Sequence, residues 1–414
     1  MSIRSVYISA LSFFTLFISV NLYAADWRSY GGDNGSQKYS ALDQITAQNV
    51  DNLTVAWSWD SVDNATVDAN VTGGNAGAVP GAYKVTPIVV DGAMYVPTSF
   101  GRVVALDAET GRTRWVFDTR AWEAGRPTNL GYNTRGVGYW EGNGKQRIFF
   151  ATNDSYLWSL DAANGQPDSA FGNDGRVDLS QGLGREIDKK LYGVVSPALV
   201  TNNKVIVNSV VFDVPRSKEM PPGHVRAFNP ETGDLEWMFK TIPQAGEFGN
   251  ETWEDGSWEY SGNTNSWTIM SADDELGIAY IPIGTPTNDW YGGLRKGDNL
   301  FAESLVAVDV NTGERIWHFQ MVHHGVWDYD LPAAPTLVDI TVDGRPIKAV
   351  AVISKQGFTY VFDRVTGDPV WPIEEREVPQ SSVSGERLSL TQPFPTKPDA
   401  FEPQGISDET LIDF

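Results

Sequence analysis

The sequence predicts an all-β fold, a β-propeller, from three observations. One hairpin phrase recurs five times along the chain. The stretches between copies are rich in short β-type runs and carry almost no helical periodicity. The copies are unevenly spaced, as four-stranded units with variable loop insertions would be.

The first copy runs Asp107-Ala-Glu-Thr110-Gly111 and leads to Trp115 and Phe117. The second, from Asp161 to Gly165, lacks the Trp. The others run from Asn229 to Gly233 with Trp237, Asp309 to Gly313 with Trp317, and Asp363 to Gly367 with Trp371. Asp or Asn opens such a turn by a side-chain hydrogen bond to the backbone, and Gly takes the positive-φ position. The Trp four residues beyond lies on the outgoing strand, where it can pack against a neighbouring unit. Runs at 89–95, 148–152, 205–211 and 279–283 supply further strands. A sandwich needs no repeated hairpin and ranks behind. The insertions at 241–265 and 287–303 are expected on one face, the functional one. Five copies without a closing motif read as an incomplete ring, and the isolated chain is expected to be unstable and aggregation-prone.

Composition narrows the function. A net charge of −22 repels phosphate backbones and excludes nucleic-acid binding. With no Cys there is no disulfide, thiolate zinc site or thiol nucleophile. Arg4, an apolar run at 6–20 and small residues at Ala24 and Ala25 read as a secretory signal peptide over 1–24. An uncleaved anchor is the alternative, but the run is short for a ~30 Å hydrocarbon core. The remaining 25–414 is expected to be exported and periplasmic, with membrane association left open, and without an integral membrane domain.

The insertions concentrate aromatics and polar groups around Trp253, Trp258, Trp267, the 284–293 loop and the 323–330 segment. Such clusters suit a flat ligand sandwiched by aromatics and a metal held by hard oxygens. Taken singly, these Trp residues read as packing. His323 and His324 are adjacent and point to opposite faces of a strand, so a shared ion is not expected. Asp328 and Asp330 could share a face, and read equally well as a solvated turn. Lys355, beside a Gly turn, is uninformative alone.

On Asp26-Trp27-Arg28, the 284–293 loop, the 323–330 segment and 354–364 taken together, the chain resembles the pyrroloquinoline quinone (PQQ)-dependent dehydrogenases. It is most similar to the membrane glucose dehydrogenase branch. The resemblance implies an eight-bladed propeller that oxidises a sugar or alcohol C–OH group. It implies PQQ with Ca²⁺ or Mg²⁺, and passage of electrons to ubiquinone or a cytochrome c. By resemblance, Asp328 is the general base and Lys355 contacts the quinone oxygens. Arg135 pairs with a cofactor carboxylate, Trp267 lies under the cofactor ring, and Phe100 stands where glucose dehydrogenases have a histidine above it. Asp213, with Thr285 or Thr287 and Asp328, holds the metal. Asp330 resembles a mark of lanthanide-using relatives but also occurs with ordinary divalent ions, so a lanthanide stays open. The alternatives are a cofactor-free propeller scaffold sharing the repeat, or an inactive fragment.

Overall fold

The computed structural model describes residues 26–68, 83–127, 129, 131–215, 217–405 and 407–411. The signal peptide expected over 1–24 lies outside them. The repeat appears as a series of antiparallel sheets. The first holds Ile88–Val90, Ala93–Pro97, Arg102–Asp107 and Thr113–Asp118 in sequential order. The second holds Gly138–Gly142, Lys145–Ala151, Tyr156–Asp161 and Arg176–Asp178. The third is built from Leu199–Thr201, Lys204–Val207, Val225–Phe228 and Leu235–Phe239, the fourth from Ser271–Asp273, Ile278–Pro282, Ser304–Asp309 and Arg315–Gln320. A fifth has Thr336–Val342, Arg345–Ile353 and Thr359–Asp363, followed by a hairpin of Ile373–Glu377 and Thr391–Pro395. The run at 89–95 is thus two strands, parted by a turn at Asp91 and Gly92, both at positive φ.

The recurring phrase is the turn that follows the third strand of each sheet, leading in the first four to a fourth strand. In the first, Asp107 Oδ1 accepts from the Thr110 amide (3.0 Å) and hydroxyl (2.8 Å). Asp161, Asn229, Asp309 and Asp363 accept two backbone amides in the same way. The turn glycines have φ between 70° and 81°, a region that costs other residues strain.

Those glycines serve a second purpose: the Trp of one blade lies on the Gly of the next. A Cβ at Gly165 would stand 2.5 Å from the Trp115 ring, and at Gly313 and Gly367 2.6 Å from Trp237 and Trp317. Each indole N–H also donates to the carbonyl just after the next blade's turn residue: Trp115 to Ala162 (3.0 Å), Trp237 to Val310 (2.8 Å), Trp317 to Arg364 (3.2 Å). The second blade has no such Trp, and the Gly172 amide donates to Thr232 O instead (2.8 Å). Consistent with blade-on-blade packing, each large apolar cluster joins two consecutive sheets: first with second, second with third, third with fourth, fourth with fifth. Burial of these faces is the main favourable term holding the arc.

A strap along residues 27–36 shows which strands are innermost. It pairs with Val89 in the first sheet, and Arg28 reaches Glu141 in the second (3.2 Å). Asn34 Nδ2 donates to Val200 O in the third, Asn34 O accepts from Ala272 in the fourth, and Gly35 O accepts from Leu337 in the fifth. One segment thus touches the first strand of all five sheets, as only an axial segment of a radial array can. This is the arc of a β-propeller. Since every strand is antiparallel to its neighbours, the repeat turns lie on one face. The loops that join blades, and those between second and third strands, lie on the other. Both long insertions expected on one face fall among the latter. No described helix is long and apolar enough to cross a membrane.

Candidate active site

The loop face gathers the charged and aromatic residues around Asp330. Its Oδ1 accepts from the Thr285 amide (2.6 Å) and hydroxyl (3.1 Å). Its Oδ2 accepts from the Trp267 indole and the Lys355 ammonium, each at 2.9 Å. Three loops are locked together by one carboxylate: Trp267 from between the third and fourth blades, Thr285 from within the fourth, Lys355 from within the fifth. Gly284 permits this approach, because a Cβ there would collide with Asp330 Oδ1.

Asp328, at φ 54°, turns back toward the same lysine and accepts from Lys355 Nζ at 2.8 Å. Burial, then the nearby Asp330 charge, raises its carboxyl above the usual range, against the pull of Lys355. Both Lys355 Nζ and the Arg135 guanidinium lie over the Trp267 ring, at 5.7 and 5.1 Å from its centroid. Arg135 is desolvated, which lowers its pKa, and its side-chain partner is the Ser196 hydroxyl at 3.5 Å. No carboxylate among the described residues pairs with it. Arg135, Trp267, Lys355 and Asp328 are therefore brought into one constellation.

Asp213 belongs to the same electrostatic field. Asn263 Nδ2 donates to its Oδ1 (3.3 Å), and burial followed by Asp330 pushes its carboxyl up to about 6. Asp289 is pushed further, to about 8, by burial and by Asp213, Asp328 and Asp330. These carboxylates repel one another without a matching set of cations. Asn263 Oδ1 and Thr287 Oγ1 are buried and unpartnered, a state that costs about 1–3 kcal/mol each. No three His, Cys, Asp or Glu among the described residues are spaced to hold an ion by themselves. The available donors are thus a mixture of carboxylate and neutral oxygens, as hard divalent cations accept.

The two threonines differ. Thr285 Oγ1 lies between Asp330 and the fully buried Glu303, at 3.1 Å from each, whereas Thr287 Oγ1 is free to ligate. Phe100 is 1% exposed. It donates its amide to Asp63 (3.0 Å) and meets Tyr132 edge-on at 4.8 Å. No contact joins it to Trp267 among the described residues. His323 turns to Gln320 and Glu375, while His324 turns to Gly297 O. Asp289, Asn263 and Glu303 were not singled out by sequence, and Asp330 was not seen as the hub.

A family profile described as glucose/ethanol/alcohol dehydrogenase, beta-propeller domain, PQQ type, matches residues 27–414. The chain belongs to this PQQ-dependent dehydrogenase family. It is 34% identical over 391 residues to the glycerol dehydrogenase large subunit of Gluconobacter oxydans, covering 90% of this chain and 50% of that protein. It is 32% identical over 384 residues to the quinoprotein glucose dehydrogenase of Escherichia coli, covering 89% and 46%. Among solved structures, the quinohemoprotein alcohol dehydrogenase of Pseudomonas putida HK5 superposes with a TM-score of 0.69 at 30% identity, over 90% of this chain and 51% of that one. The chain spans about half the length of the curated relatives it matches. Membership gives the propeller and the PQQ dependence of the family their place beside the geometry.

Proposed function

We propose that the protein is a PQQ-dependent dehydrogenase oxidising the C–OH group of a sugar or other alcohol. The observation that carries this reading is the Asp330 network, which fixes Trp267, Lys355 and Thr285 around Asp328. Arg135, with no carboxylate partner among the described residues, suits a cofactor carboxylate, which a guanidinium can grip with paired hydrogen bonds. Trp267 offers the flat surface for an aromatic ring system, and Asp330 holds the indole in plane. Asp213 and Thr287, with Asn263 and Asp328, would hold Ca²⁺ or Mg²⁺, the donor set being all oxygen. When bound, the quinone supplies the two-electron oxidation and the cation supplies Lewis-acid polarisation.

The chain's own residues divide the remaining work. Asp328 removes the substrate hydroxyl proton, its carboxylate kept near Lys355 at 2.8 Å. The Lys355 ammonium supplies positive charge where negative charge develops. Export to the periplasm, delivery of electrons to ubiquinone or a cytochrome c, and Phe100 as part of the cofactor lid belong to the same proposal. They are supported by the leader-like 1–24 segment and by the resemblance.

The test is dye-coupled oxidation by the protein loaded with PQQ and CaCl₂, offered glucose, glycerol and ethanol. Reduction that needs both additions and disappears in Asp328→Asn supports the reading. Stoichiometric PQQ binding with no reduction on any alcohol contradicts it.

A further inference from the structure

A second cavity, of about 350 Å³, lies beside the outermost strand of the third blade. It shares no residue with the site described above. His224, Arg185, Lys240, Met238, Trp258 and Glu259 line it. His224 is 4% exposed. Its Nδ1 accepts the Thr241 backbone N–H at 3.2 Å, so in the neutral ring Nε2 carries the proton. No group among the described residues accepts that proton. Burial, followed by Arg185, Arg226 and Lys240, pushes the His224 pKa down to about 3. The ring is therefore a neutral donor.

The cations around it are met by few carboxylates. Arg185 gives Nη1 to Glu259 O (3.0 Å) and Nη2 to Ser261 O (2.5 Å), and Arg226 bonds Gln181 O and Leu179 O. Carbonyls satisfy N–H groups without neutralising the charge. Lys240 alone has an ion pair, with Glu247. Glu259 also lines the cavity, but its carboxylate forms no ion pair with Arg185 or Lys240 among the described residues. In a chain of net charge −22, the charges that reach His224 are those of three cations, Arg185, Arg226 and Lys240, and its Nε2–H has no acceptor among the described residues. Its apolar walls, Met238 and Trp258, leave room for more than a bare ion.

We propose that the cavity is an anion site for a small organic acid, carboxylate or phosphate ester, whose oxygen accepts from His224 Nε2 beside Arg185 and Lys240. A neutral imidazole N–H with adjacent cations binds either oxyanion by the same hydrogen-bond chemistry.

The test is side-chain ¹H–¹⁵N spectroscopy of the protein, which has four histidines; His224→Gln assigns the signal. Acetate and inorganic phosphate are titrated separately, with chloride at equal ionic strength as control. The expected result is a saturable shift of the His224 Nε2 signal by at least one oxyanion. Acetate alone assigns a carboxylate, phosphate alone a phosphate. Arg185→Gln and Lys240→Met weaken the effect by roughly tenfold. Lys240→Met decides the matter if the arginine variant does not fold. A response no greater than that to chloride, or one unchanged in Lys240→Met, overturns the proposal.

Discussion

The two faces of the propeller arc are built on opposite terms. On the turn face the same side-chain-capped turn recurs five times, its opening Asp or Asn answered by amides of its own turn. On the loop face each connection is different, carboxylates crowd Asp330, and Asn263 Oδ1 and Thr287 Oγ1 have no partner. Repetition marks where the chain stabilises itself. Unmet oxygens and mutual repulsion mark where a ligand is proposed. The proposed cofactor and cation would answer these groups.

The contrast can be broken from either side. Trp237→Ala removes the ring on Gly313 and the bond to Val310 O, and should cost about 3–5 kcal/mol in urea denaturation. Asp328→Asn should leave the urea midpoint near wild type while cutting dye reduction by roughly 10²–10⁴-fold. If the aspartate variant unfolds the chain and the tryptophan variant does not, the division between faces is wrong. Arg135→Gln should weaken PQQ binding by roughly tenfold or more, with the unloaded thermal midpoint unchanged or raised, since a desolvated cation is removed. A fall in that midpoint would give Arg135 a structural role instead.

A milder test uses protons. Burial, then Arg315, pushes His318 down to about 4. The unfolded chain takes up a proton near pH 6.5 that the folded chain refuses, so stability is present above that pH and is lost as pH falls from 6.5 toward 4. His318→Gln should flatten the slope in that window, and an unchanged slope would assign it to other groups. The smallest effect is expected from Asp363→Ala, about 1 kcal/mol, because it removes one turn's side-chain acceptor and leaves its Gly and Trp317.

The same contrast explains what could be read from sequence. Asp107, Gly111 and Trp115 were legible because a turn and an interblade contact need the same residue types every time. The role of Trp57 was not. A Cβ at Gly111 would stand 2.5 Å from its ring, as at the later glycines, but no Asp-to-Gly turn phrase precedes Trp57-Ser58-Trp59 to mark it in the sequence. The axial strap was also hidden, since its contacts are mostly backbone atoms, which sequence does not mark. At the site, Asp213, Trp267, Asp328 and Lys355 were named through resemblance alone. Asp330 gives no local sign of its four donors, because these come from loops 25 to 63 residues away. Asp289 and Glu303 read as ordinary surface acids until burial distinguishes them.

The central claim is that the loop face is incomplete without a flat polyanionic cofactor and a cation. The most direct measurement is tryptophan-fluorescence quenching of the protein by PQQ, with and without CaCl₂, set against Asp213→Ala/Asp328→Ala. The account predicts saturable, calcium-dependent quenching in the wild type and its loss in a double variant that still folds. Equal binding by both proteins, or binding indifferent to calcium, would contradict it.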